Sequence, residues 1–105
     1  MSRLKKYSMV DLSDGIREIN CYPYIALCNK RTGVANISID NEFVEKLDKQ
    51  IVDEIIILLE KLADKIHRKQ MNEQTYHFIL NELQLINEEL KAKNMLYYQM
   101  SVDAK

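Results

Sequence analysis

The sequence predicts an α+β protein: an N-terminal β-hairpin followed by a long antiparallel two-helix hairpin, in a single domain of 105 residues. Three observations lead to this prediction. The two glycines and the one proline all lie before residue 34, so the rest of the chain can be helical without interruption. Two short runs rich in branched and aromatic residues come first, and two long segments with helical apolar spacing follow them.

Residues 1–18 are predicted to form a polar N-terminal arm that ends in a turn at Asp14-Gly15. The β-hairpin is predicted over residues 19–39. Its first strand-like run extends from Ile19 to Cys28, and its second is Val34–Ile39.

The loop and the second strand of this hairpin have the clearest local signals. Gly33 ends the loop, where a left-handed backbone conformation is expected. In the second strand the residues alternate between apolar and polar, which is typical of a strand with one covered and one solvent-facing side. The apolar side is Ala35, Ile37 and Ile39, and the polar side is Asn36 and Ser38.

The first helix is predicted over residues 40–68, with Asp40 as its N-cap. Its apolar residues cover about half of the circumference, which is wider than the stripe needed to contact one neighbour. Ile57 lies outside even this wide arc. The apolar residues within the arc are Val44, Leu47, Ile51, Val52, Ile55, Ile56, Leu58, Leu59, Leu62, Ala63 and Ile66.

The second helix is predicted over residues 72–99, with Asn72 as its N-cap. It has two apolar stripes, so we expect it to be covered on two sides. A heptad stripe, of the kind found in coiled coils, comprises Tyr76, Ile79, Leu83, Ile86 and Leu90, and a thinner stripe comprises Phe78, Leu85, Ala92 and Leu96.

The length of the helices favours a homodimer. A helix of about 27 residues is about 40 Å long, whereas a compact domain of this size has a radius of gyration near 13 Å. The predicted interface residues are those of the surplus apolar surface: Ile56, Ile57, Phe78, Leu85 and Leu96. The sequence leaves open whether they contact a second copy of the chain or a target protein.

Composition excludes several classes of function. A net charge of −1 gives no overall attraction to nucleic acid or to anionic membranes. The longest apolar run, Ile55 to Leu59, is far shorter than the roughly 20 residues that span a bilayer. Cys21 and Cys28 form no CxxC motif, and one continuous strand would place them on opposite faces, so we expect free thiols in the cytoplasm. The lysine-, asparagine- and isoleucine-rich composition is typical of a bacterium or phage with an AT-rich genome.

A search for chemical motifs predicts no enzyme, no cofactor and no metal site. The sequence has no GxSxG, P-loop or GxGxxG motif, and two glycines are too few for a phosphate-binding loop. His67 and His77 are the only histidines, and their spacing fits no HxxxH or ExxH motif. The carboxylates lie among lysines on polar helix faces, so we predict that they are solvated.

The segment from Val34 to Leu47 resembles the strand and first helix of ribbon-helix-helix repressors. The resemblance covers about a dozen residues and implies a dimeric DNA-binding regulator that reads the major groove with outward strand side chains. Under this alternative Asn36 and Ser38 contact bases and Lys30 and Arg31 contact phosphate. The departure from the family is the absence of turn residues after a short first helix.

The sequence therefore favours a small cytoplasmic, non-enzymatic regulatory or inhibitor protein that binds another protein through helical faces. The DNA-binding regulator is the alternative, and no small-molecule substrate or membrane association is expected.

Overall fold

The computed structural model describes residues 7–92, with side chains as far as Leu90. Over this range it is an α+β fold, as predicted, in which a four-stranded antiparallel sheet of order β1-β2-β3-β4 precedes the helices. The elements are β1 Tyr7–Asp11, β2 Ile16–Cys21, β3 Tyr24–Asn29, β4 Val34–Ile39, α1 Asn41–Glu45, α2 Lys49–Ile66 and α3 Glu73–Ala92.

The sheet is larger than the predicted hairpin of residues 19–39. The run from Ile19 to Cys28 is two strands, because the chain turns at Tyr22-Pro23, where the peptide bond is cis. Proline has no amide hydrogen to donate and therefore does not continue a central strand. The prediction of an arm over residues 1–18 is wrong for the part that forms β1 and the start of β2. The sequence gives little sign of β1, because this strand is almost entirely exposed and its apolar alternation is faint.

The two other hairpin turns are where the sequence predicts them. Asp14 and Gly15 have φ values of 61° and 75° between β1 and β2, and Gly33 has φ 75° between β3 and β4. Glycine adopts this left-handed conformation without steric penalty, which explains both glycine positions.

One face of the sheet packs against the helices. Ile19 of β2 is paired with Ala26 of β3, which is paired with Ile37 of β4, and this row faces inward. The predicted alternation in β4 is confirmed, since Ala35, Ile37 and Ile39 are half-buried and Asn36 and Ser38 are exposed.

Cys21 and Cys28 are both buried and free, and both lie on this inward face. The expectation of opposite faces applied to one continuous strand, and here each cysteine has its own strand. Cys28 is paired with Arg17, four positions before Cys21 on β2. That offset corresponds to about 13 Å, which is too long for a disulfide.

The predicted helix over residues 40–68 is interrupted after Glu45 and resumes at Lys49. Asp40 caps α1 as predicted, accepting a hydrogen bond from the Phe43 amide at 3.0 Å. Phe43 and Ile55 are both buried, yet on a straight helix their side chains would lie about 120° apart. The break lets both face the core, and it shortens α2 to 18 residues, about 27 Å. The length argument for dimerisation therefore no longer holds for this helix.

The second long helix, α3, follows its predicted pattern. The Asn72 side chain accepts a hydrogen bond from the Thr75 amide at 3.0 Å, and all five residues of the heptad stripe are buried. This helix packs against β2 and β3, and α2 packs against β4 and α3. The predicted continuation over residues 93–99 lies outside the described residues.

Candidate functional site

Apolar side chains remain exposed on both long helices. Of the predicted interface residues, Ile56, Ile57 and Leu85 are 44%, 51% and 55% exposed. Phe78 is half-buried, with the Lys69 ammonium 4.5 Å above the centre of its ring. Leu96 lies outside the described residues. Single exposed apolar residues are common on proteins, so their surroundings decide what they can do.

Ile56 and Ile57 face different surroundings although they are neighbours in the chain. Ile56 lines a groove between α2 and β4, together with Leu59 and Ala63 at helical spacing. The groove has a volume of about 560 Å³, and its other wall is the strand residues 35–39. Ile57 is rotated by about 100° around the helix axis and does not line this groove.

The hydrogen-bond register shows which backbone groups of β4 point to the edge of the sheet. The Asp40 amide donates to the Pro23 carbonyl at 2.8 Å, and this pair continues the β3–β4 register. Bonded and non-bonded pairs alternate in an antiparallel ladder, so the even-numbered residues of β4 bond to β3. The amides and carbonyls of Ala35, Ile37 and Ile39 therefore point away from β3, toward the edge.

This edge is accessible to another strand. In the part of the chain that the structure describes, β4 pairs with β3 alone. Natural edge strands are commonly protected by lysine, proline or a bulge, and Val34–Ile39 contains neither residue and keeps a regular register. The groove and the edge together form one concave surface, with mostly apolar side chains beside Glu60 and with backbone groups that have no partner strand among residues 7–92.

The candidate nucleic-acid contacts lie on the opposite side of the sheet and at its end. Asn36 and Ser38 are exposed on the face away from the helices, and Lys30 and Arg31 are exposed in the β3–β4 turn. The strand residues on this outer face include Glu18 but neither lysine nor arginine. The structure therefore confines the predicted phosphate contacts to the turn.

Sequence analysis missed a cluster around Arg17 of β2. Its guanidinium donates to the Glu73 carboxylate of α3 at 2.7 Å and to the Asp11 carboxylate of β1, and its carbon Cζ lies 4.6 Å from the centre of the Tyr76 ring. Hydrogen bonds to Glu73 and then to Asp11 raise the pKa of the Arg17 side chain further above its ordinary value. The cluster ties the start of α3 to two strands. The only sequence signal for this cluster is that Arg17 lies two positions before the buried Ile19, so both side chains belong to the same face of β2.

The buried cysteines are chemically quiet. Loss of solvation raises the pKa of the Cys21 thiol and raises that of Cys28 to about 11, against a smaller lowering by the charge of Arg17. Both side chains are therefore neutral thiols at physiological pH.

Comparison with known proteins gives no assignment: no protein-family model matches the sequence, and neither a curated protein nor a solved structure matches it significantly. Between residues 7 and 92, no group of three or more histidine, cysteine, aspartate or glutamate side chains is placed to hold a metal ion. In the same range no helix has the length and apolar character needed to cross a membrane.

Proposed function

We propose that this protein is a small, non-enzymatic cytoplasmic regulator or inhibitor that acts by binding another protein through the outward side of α2 and α3. The observation that supports this proposal best is the exposure of Ile57 and Leu85, each more than half exposed, on helices most of whose other apolar residues pack in the core. Apolar side chains surrounded by charge are the usual centre of a protein-binding surface.

The proposal includes an antiparallel arrangement of α2 and α3. Lys65 donates to Glu82 at 3.0 Å, and Lys69, just after α2, lies over Phe78. Moving four residues forward, from Lys65 to Lys69, thus corresponds to moving four residues backward on α3, from Glu82 to Phe78. This is the relation expected for antiparallel neighbours. One helical turn further from the loop that joins the helices, Leu85 of α3 lies at about the same level along the helix axis as Lys61 of α2.

In this arrangement Ile57 and Leu85 belong to one surface, which we call the outward patch. Asp53 and Lys61 lie one turn before and one turn after Ile57, so charges of both signs border the patch. Burying the exposed half of each apolar side chain contributes about 1 kcal/mol per residue. Such a patch gives a partner a small apolar anchor, with selectivity from the charged border.

The test is capture of a partner from an extract of the natural host, followed by reconstitution of the purified pair. The double variant Ile57→Asp, Leu85→Asp should lose the partner, because two charges would be buried in an apolar contact. Val34→Asp is the matched control: Val34 is 49% exposed, but it lies on the outer face of the sheet. It should bind like the wild type.

Two outcomes would contradict the proposal. One is a reconstituted complex that the double variant forms as tightly as the wild type. The other is a complex that Val34→Asp disrupts and the double variant does not, since the binding surface would then be the sheet.

A further inference from the structure

We infer that the outer edge of β4 and the groove beside it bind the same surface of a second copy of this chain. The two β4 strands would pair antiparallel about a two-fold axis, and the sheet would continue from one protomer into the other. This inference does not rest on the proposed function. It assigns Ile56 to the contact between copies and leaves the outward patch free for a different protein.

The register of β4 is self-complementary. The residues whose amides and carbonyls point outward are the odd-numbered ones, and their side chains are also the ones on the helix-facing side. If Ile37 lies opposite Ile37 of the second copy, Ala35 lies opposite Ile39 in both directions. All three pairs are then hydrogen-bonded pairs, and each joins two side chains on the same face of the continued sheet.

The groove gives the apolar contact that such a pairing needs. Strand pairing places the Ala35–Ile39 segment of one copy beside that of the other, and it brings the two α2 helices toward each other above the seam. Ile56 and Ala63 line the groove from α2, and both are exposed in a single chain. The second copy would cover them with the same residue types.

Charge supports an antiparallel pairing over a parallel one. The basic turn residues Lys30 and Arg31 precede β4, and Asp40 and Glu42 follow it. In the antiparallel arrangement the basic start of each strand lies toward the acidic end of the other, twice in the dimer. A parallel arrangement would place like charges together at both ends, which is unfavourable.

The other edge strand is less suited to this role. The outward backbone groups of β1 are also those of its odd-numbered residues, because the Leu12 amide donates to the Ile16 carbonyl and this pair continues the β1–β2 register. One of these residues is Asp11, whose carboxylate is already bound to Arg17. A charged side chain on the helix-facing side of an edge strand hinders further pairing.

The first test is sedimentation of the whole protein across a dilution series. The wild type should dissociate reversibly from dimer to monomer. Ile56→Glu should weaken the dimer at least about 100-fold, because the two-fold axis places two buried glutamates at one seam. Ile57→Glu is the matched control, with the same residue change at similar exposure one position along, and should change the dissociation constant by no more than about threefold.

The second test is amide hydrogen exchange, which does not depend on a variant. The amides of Ala35, Ile37 and Ile39 should exchange slowly in concentrated protein and rapidly after dilution to monomer. Those of Asn36 and Ser38, which point to β3, should stay protected at both concentrations and serve as internal controls.

Several results would overturn the inference: a wild type that is monomeric at every concentration, a dimer unaffected by Ile56→Glu, or a dimer whose odd-numbered β4 amides exchange freely. A monomer in which those amides are protected at every dilution would also overturn it, since the edge would be covered within one chain. A monomeric wild type that still binds its partner through the outward patch would refute the dimer and leave the proposed function standing.

Discussion

Replacing Arg17 by methionine tests whether the cluster that joins α3 to the sheet stabilises the fold. Methionine keeps an unbranched apolar stem in the half-buried site and removes the guanidinium. The Arg17 side chain is 16% exposed, whereas its partners Asp11 and Glu73 are 75% and 67% exposed. Because water screens both carboxylates, each ion pair contributes about 0.2–1 kcal/mol. The contact with Tyr76 adds about 0.5–1 kcal/mol.

We therefore expect Arg17→Met to lower the free energy of unfolding by about 2 kcal/mol, measured by urea denaturation at neutral pH. In a domain of this size the corresponding fall in Tm is roughly 10 °C. The difference from the wild type should shrink in high salt, because ion pairs between exposed groups are screened.

The matched control is Arg31→Met, since Arg31 is an exposed arginine in the β3–β4 turn. This change should alter stability by less than about 0.5 kcal/mol. The reasoning would be refuted if both substitutions had the same effect, or if Arg17→Met cost less than about 0.5 kcal/mol.

Three further predictions concern the core, the thiols and the alternative function. Phe43→Ala should lower the free energy of unfolding by about 3–4 kcal/mol, because Phe43 is 2% exposed and contacts the Tyr22 ring edge-on. The same change at the half-buried Phe78 should lower it clearly less. Equal losses in urea denaturation would contradict this. The pKa of the Cys28 thiol is near 9.0 in the unfolded chain and about 11 in the folded protein. Between these pH values the thiol loses its proton in the unfolded state but keeps it in the folded state, so the free energy of unfolding falls as pH rises. Wild type should lose stability over that range more steeply than Cys28→Ala, and parallel curves would exclude this origin. Finally, the outer face of the described strands has neither lysine nor arginine, and we expect no gel shift at about 50 mM salt; a shift that Lys30→Ala, Arg31→Ala abolishes would favour the alternative function.

The parts of the fold that the sequence predicts are those with strong local signals. Asp40 and Asn72 cap helices because their short side chains reach a backbone amide three residues on, and Gly33 ends a turn that needs a positive φ. The heptad stripe of α3 is buried because a strict apolar repeat defines one helix face whatever packs against it.

The parts that it does not predict depend on contacts distant in the chain. The break between α1 and α2 has no glycine or proline, and what decides it is that Phe43 and Ile55 share one core. Asp48 in extended conformation at the start of α2 is the one local sign, and an aspartate within a polar stretch is easily taken for part of a helix surface. Arg17 meets Glu73 across 56 positions, a pairing for which no sequence spacing gives a rule.

The sequence predicts which residues form the candidate surface, but it does not predict that Ile56 and Ile57 face different surroundings. Apolar spacing identifies Ile56 and Ile57 as surplus, and helix geometry separates them by about 100°. Which direction faces β4 depends on how the sheet packs on α2. The structure supplies that information by placing Ile56 in the groove and leaving Ile57 outside it.

Site-specific photo-crosslinking in the natural host tests the central claim, that the outward patch binds another protein. A photoreactive side chain introduced at position 57 or 85 should form a covalent adduct with the same partner from either position. The same group at position 34, on the outer face of the sheet, should form no adduct with that partner. Adducts of a different protein from position 34, with none from 57 and 85, would contradict the account, because the partner would then lie against the sheet instead of the helices.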